Sequence, residues 1–163
     1  MKLLPALFLL LFYVSSFSQS KLHKTLKKFN TESVTYITVE ELSKKDDVVL
    51  LDTRKKEEFN VSHIKNSIWV GHKAFQMDSV YHKIPNKDQE IIVYCSIGVR
   101  SEDIGEELIK FGYTNVKNLY GGIFEWKNQD QPVYNLDEKK TEKVHAFSKH
   151  WGKLLTKGKK VYR

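Results

Sequence analysis

Short predicted strands that alternate with helical patterns most constrain the fold of this chain. Five of them stand between segments with helix signals: Tyr36–Ile37, Val48–Leu51, Ser67–Val70, Ile91–Tyr94 and Val116–Leu119. Two of these, Val48–Leu51 and Ile91–Tyr94, are continuously apolar, which is typical of strands buried on both faces of a sheet. The alternation of strands and helices predicts an α/β fold with a central, parallel, five-stranded sheet flanked by helices in three layers.

The segments between the strands carry the helix signals. Thr38 followed by Glu41 forms a capping box that opens a helix through about Lys45. Two later helices each show one apolar stripe, made of Met77, Val80, Tyr81 and Ile84 and of Ile104, Leu108 and Phe111. Gly105 lies inside the second of these helices, where we expect it to allow a close approach to the sheet.

The single cysteine, Cys95, directly follows the fourth strand and precedes a helix predicted to begin near Ser101. At such a turn backbone N–H groups converge and the helix dipole presents partial positive charge. Both effects lower the pKa of a thiol and favour the nucleophilic thiolate. Arg100 adds a permanent cation that can hold an anionic sulfur donor. Cys95 and Arg100 are therefore the predicted catalytic residues.

The residues between them are predicted to form an anion-binding loop. Gly98 supplies a backbone conformation that other residues rarely adopt. Its neighbours contribute mainly backbone N–H groups that point inward. The predicted substrate-binding residues are Ser96, Ile97, Gly98, Val99 and Ser101.

The segment from Cys95 to Arg100 resembles the active-site loop Cys-x-x-Gly-x-Arg of single-domain, rhodanese-like sulfurtransferases. Three further elements resemble that family and occur in its order: Leu51–Arg54, Glu58–Ile64 and Tyr120–Trp126. Together the four elements span roughly Thr35 to Val133. Two positions depart from the family pattern: Ser62 stands where it has Gly, and Lys65-Asn66 where it has Pro-Gly. These departures concern the geometry of a turn rather than the chemistry of the thiol.

The resemblance implies a rhodanese-like fold and a sulfurtransferase activity that needs no metal or organic cofactor. The Cys95 thiolate would attack the outer sulfur of a donor such as thiosulfate and become a persulfide. A thiol or cyanide acceptor would then remove that sulfur.

Two other functions stay open. Cysteine-dependent phosphatases use Cys-x5-Arg, whereas Cys95 and Arg100 are separated by four residues, one fewer. The resemblance implies that the shorter loop forms a tighter cradle, suited to sulfur rather than to tetrahedral phosphate. The other alternative is a non-catalytic module that binds a persulfide or an anion.

Several residues outside the loop are predicted to be structural. We expect Asp52 and Arg54 to tie loops together, and Trp69 and Trp126 to pack. The six histidines show no ligand spacing, and a lone cysteine excludes Cys-x-x-Cys redox sites and multi-cysteine zinc sites. We therefore predict no metal.

The first residues have the pattern of a secretory signal. Lys2 precedes the apolar run Leu3–Val14, and Ser16–Ser18 offers a small-x-small cleavage site. We expect an exported protein, periplasmic in a Gram-negative bacterium. The predicted division of the 163 residues is a signal peptide at 1–18, an N-terminal arm at 19–34 that is loose or a short helix, a rhodanese-like domain at 35–134 and a basic C-terminal extension at 135–163.

The C-terminal extension is basic, with nine Lys or Arg and one acidic residue in 139–163. An apolar stripe of Phe147, Trp151, Leu154 and Leu155 predicts an amphipathic helix. We favour packing of this stripe onto the domain; weak contact with an anionic membrane surface or an acidic partner is the alternative. No nucleic-acid recognition motif accompanies the charge, so nucleic-acid binding is not expected.

Overall fold

The five predicted strands form one parallel sheet in the computed structural model, which describes residues 21–163. The strands are β1 (Tyr36–Ile37), β2 (Val49–Asp52), β3 (Ile68–Trp69), β4 (Ile91–Tyr94) and β5 (Val116–Leu119). Their order in the sheet is β1-β5-β4-β2-β3, and every neighbouring pair is parallel. The predicted α/β class and the five-stranded parallel sheet are confirmed. The order places β4, which ends just before Cys95, in the middle of the sheet.

Helices cover both faces of the sheet. They are α1 (residues 21–29), α2 (Val39–Leu42), α3 (Lys56–Val61), α4 (Met77–Lys83), α5 (Arg100–Phe111) and α6 (Gly122–Asn128). Successive side chains of β4 point to opposite faces. Ile92 and Tyr94 join an apolar cluster that packs α1, α2 and α6 onto one face. Ile91 and Val93 join a second cluster that packs α4 and α5 onto the other. The result is the expected three-layer arrangement.

The N-terminal arm is helical where the structure describes it. Leu22 and Leu26 of α1 are buried in the first apolar cluster, so this helix is anchored to the domain. The signal-peptide prediction falls on residues outside the described part of the chain. Within residues 21–163, no helix combines the length and apolar character needed to cross a bilayer.

Helix α2 is shorter than its sequence signal suggests. The capping box of Thr38 and Glu41 is present, but the helix ends at Leu42 rather than near Lys45. The amides of Lys44 and Lys45 donate to carbonyls three residues back, so the chain tightens into a turn there.

Gly105 allows a close approach, although to a different partner from the one expected. A Cβ atom built on Gly105 would lie 2.8 Å from Cγ2 of Val34. Val34 belongs to the segment before β1, so Gly105 lets α5 pack closely on that segment, while Ile104 and Leu108 of the same helix pack on the sheet.

Both departures from the family pattern fit the backbone. Ser62 is extended, with φ −170° and ψ 156°, which does not require glycine. Asn66 has a φ of 60°, and asparagine tolerates this left-handed conformation better than most residues. The turn therefore keeps its geometry without the family's glycines.

The C-terminal extension does not form the predicted amphipathic helix. It consists of short strands and one 3-10 helix: β7 (Lys140–Thr141), β8 (Lys143–His145), the 3-10 helix Trp151–Leu154 and β9 (Lys159–Val161). Strand β7 pairs with β6 (Val133–Tyr134), the last strand of the predicted domain, and β8 pairs with β9. The helix prediction was wrong because Phe147 has a φ of 61°, a left-handed conformation that no α-helix continues.

The favoured alternative, packing of the stripe onto the domain, is confirmed for three of its four residues, whereas Phe147 is 41% exposed. Leu154 and Leu155 are buried in the same apolar cluster as Ile123 and Phe124 of α6. Contact of the extension with a membrane surface or an acidic partner stays a prediction.

Leu155→Ala tests whether the extension is an integral part of the folded domain. The side chain is fully buried, so truncation should lower the free energy of unfolding by about 2–5 kcal/mol through lost burial and a cavity. Exposed Lys153→Ala, two residues earlier, should change it by less than about 0.5 kcal/mol. Urea denaturation measures both variants. Equal stabilities would show that the extension contributes little to the core.

Candidate active site

The loop between β4 and α5 carries the predicted nucleophile. Cys95 follows the last residue of β4, and α5 begins at Arg100, one residue earlier than predicted. The thiol therefore lies at the carboxyl end of the central strand, where open α/β sheets bind ligands. It also lies close to the amino end of a 12-residue helix.

The environment of the Cys95 sulfur favours the thiolate. The side chain is buried and the amide of Gly98 donates to Sγ at 3.1 Å. Burial by itself raises the pKa of the thiol, but the charge of Arg100 and hydrogen bonds from Ser101 and Gly98 outweigh burial, so the pKa lies below its ordinary value. The Ser101 hydroxyl, which donates to Oδ1 of Asn118 at 2.8 Å, has one proton to turn toward either acceptor.

Gly98 has the unusual backbone conformation predicted for it. Its φ is 107°, a value that favours glycine. Its carbonyl accepts hydrogen bonds from the side-chain amides of Asn118 at 2.8 Å and Asn30 at 2.9 Å. These two bonds orient the peptide that follows Gly98, so the residue whose amide donates to sulfur is held from β5 and from the chain after α1.

Arg100 is held by a carboxylate that the sequence analysis did not select as a site residue. Its two terminal nitrogens donate to the two carboxylate oxygens of Glu58, at 2.8 and 3.0 Å. Ser96 joins the cluster: its hydroxyl donates to Glu58 at 3.1 Å and accepts from Arg100 at 3.0 Å. Three of the five guanidinium N–H donors are engaged in these contacts.

Glu58 is charged despite being fully buried. Burial raises the pKa of this carboxyl, but the hydrogen bonds and the charge of Arg100 lower it by more. The pKa therefore lies below its ordinary value. Glu58 had been noted only as part of a family-like segment. A signal was nevertheless present, because an arginine at a buried site requires a carboxylate partner.

The start of helix α6 is hydrogen-bonded to the Cys95 loop. The amides of Ile123 and Phe124 donate to the carbonyls of Cys95 and Ser96, at 3.0 and 3.1 Å. A Cβ atom on Gly122 would lie 2.4 Å from the Cys95 carbonyl oxygen. Only glycine therefore lets the start of α6 approach the loop closely enough to make these bonds.

A cavity of about 240 Å³ lies over the thiol. Its lining residues are Phe29, Cys95, Ser96, Ile97, Val99, Arg100, Phe147 and Trp151. Five of the seven predicted site residues are among them. The other two, Gly98 and Ser101, contact the sulfur or its neighbours without lining the cavity. The three aromatic residues were not predicted as site residues.

The residues predicted to be structural have structural contacts. Arg54 is fully buried, where it donates to Asp52 and, at 2.7 Å, to the carbonyl of Ser62. The indole N–H groups of Trp69 and Trp126 donate to backbone carbonyls. Within residues 21–163, no three His, Cys, Asp or Glu side chains are grouped so that they could hold a metal ion.

Comparisons with known proteins agree with this arrangement. A sequence profile of the rhodanese-like domain matches residues 35–129. The thiosulfate sulfurtransferase GlpE of Coxiella burnetii is 28% identical over 96 residues, which are 59% of this chain and 87% of that protein. UBA4 of Candida albicans, an adenylyltransferase and sulfurtransferase, is 32% identical over 106 residues, 62% of this chain but 24% of that protein.

A solved structure shows the same fold. The thiosulfate sulfurtransferase of Pseudomonas aeruginosa matches with a TM-score of 0.58 and 21% identity, over 85% of this chain and 26% of that one. The family profile matches more than half of the residues of this chain, so the chain belongs to the rhodanese-like domain family. The resemblance inferred from the four sequence elements is thus confirmed.

Glu58 and Arg100 carry opposite charges, so their substitution should shift the pKa of Cys95 in opposite directions. Glu58→Gln removes the negative charge that offsets Arg100, so the pKa of Cys95 should fall further. Arg100→Ala removes the cation and leaves the Glu58 charge without its partner, so the pKa of Cys95 should rise. The pKa of Cys95 in Arg100→Lys should lie between those of the wild type and Arg100→Ala, because an ammonium keeps the charge but lacks the planar, bidentate geometry of the guanidinium.

The pH dependence of iodoacetamide alkylation measures these shifts, because Cys95 is the only cysteine and only the thiolate reacts. The midpoint should move down in Glu58→Gln and up in Arg100→Ala. Midpoints that shift in the same direction would show that the ion pair does not set the reactivity of the thiol.

Proposed function

We propose that this protein is a sulfurtransferase that moves sulfane sulfur from a donor such as thiosulfate to a thiophilic acceptor through a persulfide on Cys95. The observation that carries the proposal is the contact between the Gly98 amide and Sγ of Cys95, at 3.1 Å, in a loop that lowers the pKa of the thiol. The family membership and the sulfurtransferases among its relatives support the same reaction class.

The first step is attack of the Cys95 thiolate on the outer sulfur of the donor. A sulfur–sulfur bond to Cys95 forms, the bond within thiosulfate breaks, and sulfite leaves with the electron pair. In the second step the acceptor, a thiol or cyanide, attacks the outer sulfur and Cys95 leaves as a thiolate. Both steps are displacements at sulfur, so the cycle needs neither an oxidant nor a cofactor.

The site residues divide into two roles in this proposal. The amides of Gly98 and Ser101 stabilise the negative sulfur before attack and after transfer. Arg100 supplies positive charge beside the donor anion. Glu58 and Ser96 position Arg100 through their hydrogen bonds.

The geometry favours sulfur transfer over phosphate-ester hydrolysis. A phosphoryl group presents three oxygens that need donors spread around them, whereas a persulfide requires room for one sulfur. In this loop both terminal nitrogens of Arg100 donate to Glu58. The loop is also one residue shorter than Cys-x5-Arg, so it offers one backbone amide fewer to surround a phosphoryl group.

We also propose that the protein is exported, to the periplasm in a Gram-negative host. The support is the leader pattern in the sequence. Mass determination of the protein recovered from its native cell would reveal cleavage near residue 18. A full-length mass from the cytosolic fraction would contradict export.

A persulfide on Cys95 is the direct test of the function. Thiosulfate should add about 32 mass units to the intact protein, and cyanide should remove them, as expected of a covalent intermediate. Cys95→Ser should show neither change. Ser101→Ala is the matched control, because it keeps the nucleophile and should only slow the reaction. Turnover by Cys95→Ser, or an unchanged mass of the wild type, would contradict the proposal.

The length of the loop separates this function from the phosphatase alternative. The wild type should show thiosulfate:cyanide activity and no hydrolysis of aryl phosphates above the level of Cys95→Ser. Insertion of one glycine between Gly98 and Val99 gives the longer spacing of the phosphatases and should reduce sulfur transfer. Phosphatase activity of the unmodified protein that is lost in Cys95→Ser would establish the alternative. Persulfide formation without turnover by any acceptor would favour the non-catalytic module.

A further inference from the structure

Three aromatic rings from the two chain extensions form the wall of the cavity over Cys95. Phe29 lies at the end of α1, Phe147 follows β8, and Trp151 begins the 3-10 helix. All three lie outside residues 35–129, the part that matches the family profile. The rings of Phe29 and Trp151 meet edge to face at 5.7 Å. The wall is thus a packed feature of this chain, added to the common domain.

Phe147 is held over the site by its backbone. Its φ of 61° is an uncommon value for a bulky residue, and such outliers cluster at functional sites. The ring lies 5.0 Å from the guanidinium carbon of Arg100. The amide of Phe147 donates to Nδ1 of buried His145 at 3.1 Å. The conformation therefore holds the ring over the catalytic arginine.

The polar groups of the cavity are already engaged with one another. Arg100 and Ser96 both bond to Glu58. An uncharged polar substituent on the acceptor, unlike the donor anion that Arg100 and the loop amides attract, loses water here and finds few partners in exchange, which is unfavourable. An apolar group that enters it gains by leaving water. The wall and the engaged ion pair therefore favour the same kind of ligand.

The space suits a substituent of moderate size. Engineered apolar cavities of about 150 Å³ in other proteins bind benzene, and this cavity measures about 240 Å³. Phe29 and Phe147 are each about half exposed, at 51% and 41%, so both rings of the wall are in contact with solvent. A small thiol with an aromatic or branched aliphatic group fits the space with its sulfur at Cys95.

We propose that the acceptor of the Cys95 persulfide is a small thiol that carries an apolar group, and that Phe29, Phe147 and Trp151 determine this specificity. The proposal rests on the proposed sulfurtransferase function. The acceptor thiolate attacks the outer sulfur, a new sulfur–sulfur bond joins it to the acceptor, and the bond to Cys95 breaks. Cys95 leaves as a thiolate with the electron pair, and the product is the persulfide of the acceptor.

The test compares two thiols of similar acidity, benzyl mercaptan and 2-mercaptoethanol. The wild type is first loaded with sulfur by thiosulfate, and excess donor is removed. Loss of the added sulfur is then followed by mass spectrometry at equal thiol concentrations. Benzyl mercaptan should discharge the wild type at least about tenfold faster, a ratio typical of an apolar pocket.

Two wall variants and one control complete the experiment. Phe29→Ala removes one half-exposed ring of the wall. Phe147→Gly removes the second half-exposed ring, and glycine adopts the positive φ at this position without strain. Both should reduce the ratio of the two rates to less than about threefold, because the apolar contact is lost. Tyr81→Ala removes an exposed aromatic of α4 that is absent from the cavity wall and should keep the ratio of the wild type.

The outcomes separate this proposal from the function on which it rests. Equal discharge of the wild type by the two thiols, or a preference that persists in both wall variants, would overturn the apolar specificity while leaving the sulfurtransferase in place. If thiosulfate adds no sulfur to the wild type, the proposed function fails and the specificity falls with it.

Discussion

The ion pair between Glu58 and Arg100 is the interaction on which the site depends. It joins α3 to the first residue of α5 and places Ser96 between them. A fully buried carboxylate is unfavourable unless its oxygens are paired. Glu58 meets this requirement through Arg100, the Ser96 hydroxyl and the amide of Lys55 at 3.1 Å. Because all these partners are needed, the pair permits only one arrangement of the loop.

The same pair controls the charge that reaches the sulfur. Arg100 lowers the pKa of Cys95, while burial of the thiol acts in the opposite direction. Glu58 offsets part of the arginine's charge, so the loop combines a reactive thiolate with a nearly neutral surrounding. Backbone dipoles add to this charge, because the Gly98 amide donates to the sulfur, and the carbonyl of the same residue is held by Asn118 and Asn30. The charge of Arg100 is the largest of the effects that favour the thiolate, and hydrogen bonds from Ser101 and Gly98 add to it.

The sequence predicts the parts of this site that depend on local pattern. An apolar run followed by Cys95 and a helix start specifies a strand–loop–helix unit, and Gly98 marks the unusual backbone. Glu58 lies 37 positions before Cys95, and its contact with Arg100 depends on how β2, α3 and β4 pack. No periodicity encodes that distance. The carboxylate could be expected from the chemistry of a buried arginine, but its identity required the fold.

The C-terminal extension shows why an apolar stripe alone does not specify a helix. Phe147, Trp151, Leu154 and Leu155 have helical spacing, yet the chain turns at Phe147 and pairs β8 with β9. Burial of Leu154 and Leu155 satisfies the same apolar pattern without the helix. Tertiary packing therefore outweighed local periodicity, as it commonly does for short segments.

The extensions and the common domain contribute different properties to one cavity. The loop after β4 supplies the thiol, the amides and the charge on which the proposed sulfur transfer depends. Phe29, Phe147 and Trp151 line the cavity over that loop. In the proposed reaction these rings act on the molecule that approaches Cys95, and Phe147 also lies over the Arg100 guanidinium. Leu22, Leu26 and Leu155 anchor both extensions in the core, so the segments that carry the aromatic wall are held against the domain that carries the loop.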